Sequence, residues 1–191
     1  MKLLGVQLGT VRRVKIGERS IPTAFNKQPT LASTMVMPLG LMGDEQADLS
    51  VHGGLEKAVY AYPSEHYAFW QNARLEADVS PLDDSLPHGS LGENLTLAGL
   101  VETQVWAGDI LRFPHCELKV TLPREPCGKF NAVIGFSHAS RLMAHSGFCG
   151  FYLSVQAPGT LQAGQSFELV PGPRRVSIPQ LFQAKRLKHL R

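Results

Sequence analysis

One cysteine, Cys127, stands in a setting that favours a reactive sulfur. Pro126 precedes it and Gly128 follows it, and because both residue types disfavour the centre of a helix or strand, the sequence predicts a turn here. Arg124 and Lys129 lie three and two residues away. Nearby cations stabilise the thiolate, which is the form that acts as a nucleophile or as a ligand of soft metals. A second interpretation stays open on these residues alone, in which Cys127 is a small buried hydrophobe.

The other two cysteines, Cys116 and Cys149, lack such neighbours and are predicted to be structural. The sequence contains no CxxC pair, which excludes both a zinc knuckle and a dithiol redox motif. An odd number of cysteines also argues against the disulfide framework of a small secreted protein. The expected setting of the protein is therefore reducing.

A histidine, His52, is followed directly by two glycines. Gly53 and Gly54 let the backbone approach a ligand closely or adopt a positive φ, and a histidine exchanges protons near neutral pH. The alternative is a turn before a strand that carries a surface histidine. His66 falls in a predicted helix and is interpreted as structural, and the other histidines show no spacing typical of a metal site.

Further polar side chains stand in predicted loops. Glu93 and Asn94 directly precede an apolar run, so they would place two polar groups at the mouth of a strand unless the pair is an ordinary turn. Lys57 could bind an anion or be solvated, and Asp44 could simply cap a turn. The sequence has no GxGxxG, GxxxxGK(S/T), GxSxG or HExxH motif, so the familiar nucleotide-binding, hydrolase and zinc-protease motifs are missing.

Short apolar runs between glycines and prolines must position these loops. Nine runs rich in Val, Leu, Phe and Tyr are predicted to be strands, and several alternate between apolar and polar residues. Many short strands separated by turn signals are typical of a closed or nearly closed β-barrel. The predicted strands are Leu3 to Leu8, Val11 to Ile16, Met35 to Met37, Ala58 to Tyr62, Leu95 to Leu97, Ile110 to Phe113, Leu118 to Leu122, Tyr152 to Gln156 and Phe167 to Val170.

Three helices are predicted beside the strands. The first begins at Pro63-Ser64-Glu65 and continues through Ala73. The second covers Ser137 to Ser146 and ends at Gly147, a residue type that favours the left-handed end of a helix. The third covers the tail from Ile178 to Arg191, where apolar residues recur at helical spacing and the other face is basic.

Length and composition indicate a single globular domain. The chain has 191 residues, of which 43% are hydrophobic and 18% charged, so it can bury a core of its own and is not a disordered chain. No apolar run approaches the ~18 residues of a membrane helix, and no signal-peptide pattern follows Met1. We therefore expect a cytoplasmic protein without a membrane partner.

The net charge of +3 conceals an asymmetry between the body and the tail. Six basic residues follow Glu168, the last acidic residue, and without them 13 basic residues stand against 16 acidic ones. Nucleic-acid-binding domains usually carry their basic residues across one folded face, so no nucleic-acid partner is expected. The predicted organisation is a β domain over residues 1–173 and a basic, helical tail over residues 174–191.

Taken in order, the loop motifs resemble those of MOSC domains, the module found at the C-terminus of molybdenum cofactor sulfurases. The stand-alone bacterial proteins of the YiiM type are the most similar members. Each motif is weak alone, but six in one order that ends at the cysteine are specific. The matching segments are Ile21 to Lys27, Gly40 to Asp44, His52 to Gly54 with Lys57 to Tyr60, Gly92 to Leu95, Gly108-Asp109 and Pro123 to Cys127.

The resemblance implies a mainly β fold, a barrel of the kind inserted in pyruvate kinase, with a few short helices. It implies binding of the molybdenum cofactor, with Cys127 as the metal ligand or as a sulfur carrier. It also implies an oxidoreductase that detoxifies N-hydroxylated compounds, including modified purine bases. Members of this type usually continue into a longer helical C-terminal region, whereas this sequence ends at Arg191.

The resemblance also suggests roles for individual residues. His52 would protonate the hydroxide that departs when the N–O bond breaks, and Glu93 and Asn94 would hydrogen-bond the pterin. The cofactor phosphate needs cations, and the candidates are Lys27, Lys57, Arg124 and Lys129.

Three functional classes remain open on the sequence. In the first, the protein is a molybdenum-dependent reductase that takes a small N-hydroxylated substrate and electrons from an unidentified donor protein. In the second, it is a carrier that holds the cofactor, or a persulfide on Cys127, and passes it on without turnover. In the third, it is an apo-domain that serves only in interactions. A homodimer is compatible with each of the three.

Overall fold

The computed structural model describes residues 1–16, 18–47, 53–79, 85–126 and 128–188. The described residues form thirteen strands: β1 (Lys2–Leu8), β2 (Arg12–Ile16), β3 (Arg19–Thr23), β4 (Gln28–Thr30), β5 (Thr34–Met37), β6 (Gly40–Leu41), β7 (Val59–Pro63), β8 (Leu95–Ala98), β9 (Ile110–Arg112), β10 (Glu117–Pro123), β11 (Phe151–Ala157), β12 (Gly159–Leu161) and β13 (Glu168–Val170). They also form four α-helices: α1 (Tyr67–Glu76), α2 (Gly128–Ile134), α3 (Ala139–Ser146) and α4 (Ile178–Lys188). Short 3-10 turns cover Leu55–Lys57, Ser64–His66 and Glu102–Gln104.

Eight strands form one large sheet in the order β13-β9-β10-β11-β7-β8-β1-β4. The sheet curls until β1 meets the segment before β13, where Lys2 and Ser166 form an antiparallel bridge. The backbone N–H of Leu3 donates to the carbonyl of Gln165 at 2.9 Å. A smaller sheet, β12-β5-β6, and the β2-β3 hairpin complete the strands. The mainly β, barrel-like prediction is therefore confirmed.

Two clusters of buried side chains fill this fold. Inward-facing residues of the large sheet, such as Leu3, Leu97 and Leu118, form an aliphatic cluster inside the barrel. They are buried because alternate residues of a strand face the same side of the sheet. A second, aromatic cluster lies between the sheet and the helices and includes Tyr62 and Trp70. The sequence predicts Tyr60, Tyr62, Tyr67, Phe69 and Trp70 as core residues. The first two and Trp70 are buried, whereas Tyr67 and Phe69 are partly buried and pack against this cluster.

All nine predicted strand segments form strands, with ends that differ by one residue at most. The short strands β3, β4, β6 and β12 were not predicted, and two of them contain a proline, Pro22 and Pro29, that obscures the strand pattern. The helix α2 was also missed. It begins at Gly128, two residues after Pro126, so the proline that argued against a helix centre here marks a helix start instead.

The predicted helices are present, with shifted ends. The first is a 3-10 turn over Ser64–His66 that continues as α1 to Glu76. The second, α3, ends at Gly147, whose φ of 75° is left-handed and therefore favours glycine. None of the described helices is both long enough and apolar enough to cross a bilayer.

The tail helix α4 packs against the body of the protein. Ile178 is fully buried in the aliphatic cluster, and Phe182 is buried in the aromatic cluster. Lys185 forms an ion pair with Glu125, which lies just beyond β10. The described part of the tail is thus attached to both clusters by its apolar face. Residues 189–191 of the predicted tail helix lie outside the described residues.

Phe182→Ala is expected to lower the free energy of unfolding by about 3–5 kcal/mol, because it removes a buried aromatic ring and leaves a cavity. The matched control is Gln183→Ala on the same helix, where the side chain is exposed and the change should be within about 0.5 kcal/mol. Urea unfolding followed by circular dichroism measures both variants. Equal stability of the two variants would show that α4 does not stabilise the fold.

Candidate functional site

A cavity of about 100 Å³, open to solvent, lies on the helix-facing side of the large sheet, where Tyr60 and Tyr152 border it. Residues from loops that are far apart in the chain line this cavity. Four of the lining residues are cations, so we call it the four-cation cavity. The cations are Lys27, Lys57, Arg124 and Lys129; the other lining residues are Ala24, Phe25, Asp44, Glu45, Gln46, Ala47, Gly53, Tyr60, Gly92, Asn94 and Tyr152. Five residues chosen from the sequence, the four cations and Asn94, are therefore brought together.

The ends of strands and helices place the cations around this cavity. Lys27 precedes β4, and Arg124 follows β10 directly. Lys57 ends a 3-10 turn before β7, and Lys129 lies in the first turn of α2. Within a strand, side chains alternate between the two faces of the sheet. Residues just beyond the strand ends do not have to follow this alternation, so their side chains can face the same space.

A carboxylate, Asp44, organises one wall of the cavity. It accepts a hydrogen bond from the backbone N–H of Gly9 at 2.7 Å and another from the side-chain amide of Asn94 at 2.8 Å. It also forms an ion pair with Lys27. The amide oxygen of Asn94 accepts a hydrogen bond from the backbone N–H of Tyr60 at 3.1 Å. These contacts fix the Lys27 and Asn94 side chains in single positions.

Lys27 is only 9% exposed although it carries an ammonium group. Burial lowers its pKa, because desolvation disfavours the charged form, and the neighbouring Asp44 carboxylate opposes that shift. A cation that has lost most of its water gains more from an anion than a solvated lysine does. Lys27 therefore has one anionic partner in the protein, Asp44, and borders a cavity in which it could bind a second anion.

Arg124 is 4% exposed and is held in place by aromatic rings. Its guanidinium carbon lies 4.8 Å from the ring centre of Phe25, 4.9 Å from that of Tyr60 and 5.3 Å from that of Phe130. It also donates a hydrogen bond to the carbonyl of Leu91 at 2.8 Å. These cation–π and hydrogen-bond contacts hold the guanidinium group in place while it is buried away from solvent. The group still borders the cavity.

Lys57 and Lys129 are less deeply buried. The Lys57 ammonium lies 5.8 Å from the ring centre of Tyr152, and the Lys129 ammonium donates to the carbonyl of Pro22 at 3.3 Å. With Asp44 and Glu45 as the carboxylates of the described lining, cations outnumber anions four to two. The cavity is therefore suited to a ligand with several negative charges.

Glu93 does not line this cavity. It is fully buried, and its carboxylate accepts hydrogen bonds from the backbone N–H groups of Gly89 at 2.8 Å and Leu91 at 3.1 Å. The hydroxyl groups of Tyr67 and Thr96 donate to it as well. Burial raises the pKa of Glu93, while these donors oppose that shift. The described geometry thus gives Glu93 a positioning role in place of the pterin contact expected from the sequence: it holds the loop that precedes Asn94.

Glu93→Ala is expected to lower the free energy of unfolding by roughly 2–4 kcal/mol, because it leaves several buried donors without an acceptor. Thr96→Val is the matched control, since it removes one of these donors and keeps the shape of the side chain, and it should cost about 1 kcal/mol or less. Chemical denaturation of both variants measures the difference. A Glu93→Ala variant as stable as Thr96→Val would refute the positioning role.

The two residues chosen as catalytic, Cys127 and His52, lie outside the described residues. Their neighbours are described, and Arg124, Lys129 and Gly53 all border the four-cation cavity. The other cysteines, Cys116 and Cys149, are buried free thiols, in agreement with the structural role predicted for them. Burial, with Glu117 as a lesser cause, raises the pKa of Cys116 to about 12, and burial raises that of Cys149 as well.

Cys116 and Cys149 should therefore resist alkylation in the native protein. A thiol with a pKa of about 12 has a thiolate fraction at pH 8 that is on the order of a thousandfold below that of an ordinary cysteine. Mass spectrometry after brief treatment with iodoacetamide should find both sites unlabelled, and labelled once the protein is unfolded in urea. Rapid labelling of either cysteine in the native protein would contradict the burial described here.

Some lining residues were not selected from the sequence. Phe25 and Tyr152 gave no signal, and Tyr60 was assigned to the core, where it is indeed buried while also bordering the cavity. Asp44 was considered only as a turn cap, although it is the acceptor that joins Lys27 to Asn94. In the sequence Asp44 follows Gly43, which indicates only a turn. The residues that Asp44 contacts, Lys27 and Asn94, lie 17 and 50 positions away along the chain.

Comparisons with known proteins show which family and which relatives this chain is similar to. A family model described as the MOSC domain matches residues 48–168. Protein YiiM of Escherichia coli strain K12 is 37% identical over 162 residues, which cover 83% of this chain and 69% of that protein. A protein named "Reductase" from Gibberella moniliformis is 31% identical over 172 residues, covering 90% of this chain and 29% of that protein.

The fold is also similar to that of solved structures. The crystal structure of YiiM from Geobacillus stearothermophilus superposes with a TM-score of 0.77 and 26% identity. The superposition covers 98% of this chain and 84% of that one. Both the strands and the helices described above therefore have counterparts in a solved structure.

Proposed function

The chain belongs to the MOSC domain family, and from that premise we propose that it binds the molybdenum cofactor in the four-cation cavity and uses it to reduce N-hydroxylated compounds. Family membership supports the coarser part of this proposal, an association with the molybdenum cofactor. The choice of substrate class goes further and rests on similarity to YiiM-type proteins.

The observation that carries the proposal is the pair of buried cations, Lys27 and Arg124, at one cavity. The pterin of this cofactor ends in a phosphate, a dianion that needs charge-assisted hydrogen bonds. The guanidinium fork of Arg124 suits two phosphate oxygens, and Lys27 adds a point charge. The N–H groups of the Asn94 amide bond Asp44 and the carbonyl of Gln7, so what Asn94 offers a donor of the pterin is the second lone pair of its Oδ1. The donor set of the cavity thus fits the group.

The remaining residues have roles that follow from their position or chemistry. Tyr60 and Tyr152 border the cavity with rings, which exclude water and can contact the flat pterin. Lys57 and Lys129 add positive charge that attracts an anionic cofactor. We propose Cys127 as the thiolate ligand of the metal and His52 as the proton donor to the departing hydroxide.

The bound cofactor supplies the two-electron chemistry that breaks the N–O bond. The overall reaction converts an N–OH group, two electrons and two protons into an N–H group and water. In this proposal His52 delivers one proton to the oxygen as the bond breaks, and solvent supplies the other. The electrons come from a donor protein, so the mouth of the cavity must remain accessible to a partner.

The name of the Gibberella relative, "Reductase", supports the reductive direction. That relative is much longer than this chain, and the match spans only 29% of the relative's length. Its name therefore supports only the class of reaction, and the substrate has to be identified by experiment.

Turnover by the cofactor-loaded protein tests this proposal. The full chain is co-produced with the cofactor-synthesis enzymes under anaerobic conditions and assayed with reduced methyl viologen and an N-hydroxylated purine. We expect conversion to the aminopurine, measured by liquid chromatography, and no conversion by protein produced without cofactor synthesis. Molybdenum in the protein without turnover would contradict the reductase and favour the carrier function.

A further inference from the structure

A second cavity, of about 240 Å³, lies beside the tail helix and shares no lining residue with the four-cation cavity. The 3-10 turns before α1 and after β8, the end of α3 and the helix α4 surround it. The lining residues that matter below are His66, Glu102, His145, Phe148, Phe182 and Arg186. None of them has a role in the function proposed above.

A buried histidine–carboxylate pair forms the inner wall of the second cavity. His66 Nε2 lies 2.7 Å from Glu102 Oε2, and the two side chains are only 9% and 6% exposed. The other oxygen, Glu102 Oε1, accepts a hydrogen bond from the backbone N–H of Gly150 at 2.6 Å. Because an ionised carboxylate only accepts, the neutral form of His66 that pairs with it carries its hydrogen on Nε2.

This tautomer leaves the second ring nitrogen of His66, Nδ1, with a free lone pair. Nδ1 has no hydrogen-bond partner among the described residues. Nδ1 is also not one of the fully buried unpaired side-chain atoms of the described residues, so it is accessible at the cavity that His66 lines. The structure thus presents an unused acceptor at the wall of a cavity, where the O–H group of a ligand would satisfy it.

Arg186 brings a permanent positive charge to the described lining of the cavity. Arg186 from α4 and His145 from α3 both border it. Within the described parts of the chain, neither side chain pairs with a carboxylate, whereas the adjacent Lys185 pairs with Glu125 outside the cavity. The guanidinium of Arg186 is therefore available to an anion.

Aromatic side chains form the apolar part of the lining. The ring of Phe148 stacks on His66 with a centroid distance of 3.8 Å and an angle of 9°. Phe182, which is 3% exposed, contributes from the tail helix. The lining therefore offers a ligand a ring-nitrogen acceptor, apolar rings and a cation.

We propose that the second cavity binds a small hydroxylated aromatic carboxylic acid. Its hydroxyl group donates to Nδ1 of His66, its ring lies against Phe148 and Phe182, and its carboxylate pairs with Arg186. A cavity of about 240 Å³ is smaller than the roughly 300–1,000 Å³ pockets of drug-sized ligands, which suits a ligand of about ten heavy atoms. This site is independent of the molybdenum cofactor, so its test needs no loaded enzyme.

Calorimetric titration of the full chain with 2-, 3- and 4-hydroxybenzoate tests the site. We expect one isomer to bind with a one-to-one stoichiometry and 4-hydroxybenzamide, which lacks the charge, to bind at least several-fold more weakly. Arg186→Gln should weaken binding roughly three- to tenfold. Arg175→Gln removes the same charge from an exposed position outside the cavity and should leave binding unchanged.

Two results would overturn the proposal. One is the absence of saturable binding by all three acids. The other is equal binding by Arg186→Gln and Arg175→Gln. Lys57→Gln serves as a check on location, since a loss of binding in that variant would place the acid in the four-cation cavity and refute the second site.

Discussion

Arg124→Ala is expected to retain roughly 10- to 150-fold less pterin than the wild-type protein, because a charge-assisted hydrogen bond of about 1.5–3 kcal/mol is lost. Three rings and the Leu91 carbonyl hold the Arg124 guanidinium at the cavity. Pterin released from the purified protein by acid and oxidised to a fluorescent product measures the effect.

Two further variants separate binding from folding in this experiment. Arg112→Ala removes an exposed arginine that pairs with Glu117 on the surface, and it should retain pterin like the wild type. Arg124→Lys keeps the charge but not the planar fork, so its retention should be intermediate. Wild-type pterin content in a folded Arg124→Ala variant would remove Arg124 from the site.

Cys127→Ser is expected to abolish reductase activity, with a loss of at least about 100-fold. Changes to the groups that merely orient a metal ligand already cost about 10- to 100-fold, and a serine hydroxyl is a much poorer ligand for a soft metal than a thiolate. The variant should keep part of its pterin, because Lys27 and Arg124 remain. Steady-state turnover per bound pterin is therefore the measurement.

Cys116→Ser and Cys149→Ser are the matched controls for this prediction. Both replace a buried thiol with a hydroxyl that must find a partner, so each should lose some stability, about 1–3 kcal/mol, and keep its turnover. Full activity in Cys127→Ser would refute Cys127 as the metal ligand and as the sulfur carrier. The family relationship would then describe the fold alone.

The strands could be predicted from the sequence because their signal is local. The alternation of Leu118, Lys119 and Val120 places two of the three side chains inside the barrel, and the structure agrees. Closure of the barrel had no such signal, since the bridge between Lys2 and Ser166 joins residues more than 160 positions apart. Long-range pairing depends on how the sheet twists, which no short window of sequence contains.

The candidate site shows the same division. Lys27, Lys57 and Arg124 could be chosen because a phosphate needs cations, and the structure places them at one cavity. What could not be foreseen is how they are held: the Phe25 and Tyr60 rings beside Arg124 and the Asp44 carboxylate beside Lys27 come from other segments of the chain. Glu93 is turned inward by donors of its own loop, such as Gly89, together with the Tyr67 hydroxyl from α1.

The most direct test of the central claim is the molybdenum and pterin content of the purified full chain. Wild-type protein co-produced with the cofactor-synthesis enzymes is compared with a Lys27→Gln, Arg124→Gln double variant by mass spectrometry of the metal and fluorescence of the oxidised pterin. The four-cation cavity predicts molybdenum and pterin in equal amounts, close to one of each per wild-type chain, and at least tenfold less in the double variant. Equal contents in the two proteins, or none in either, would contradict it.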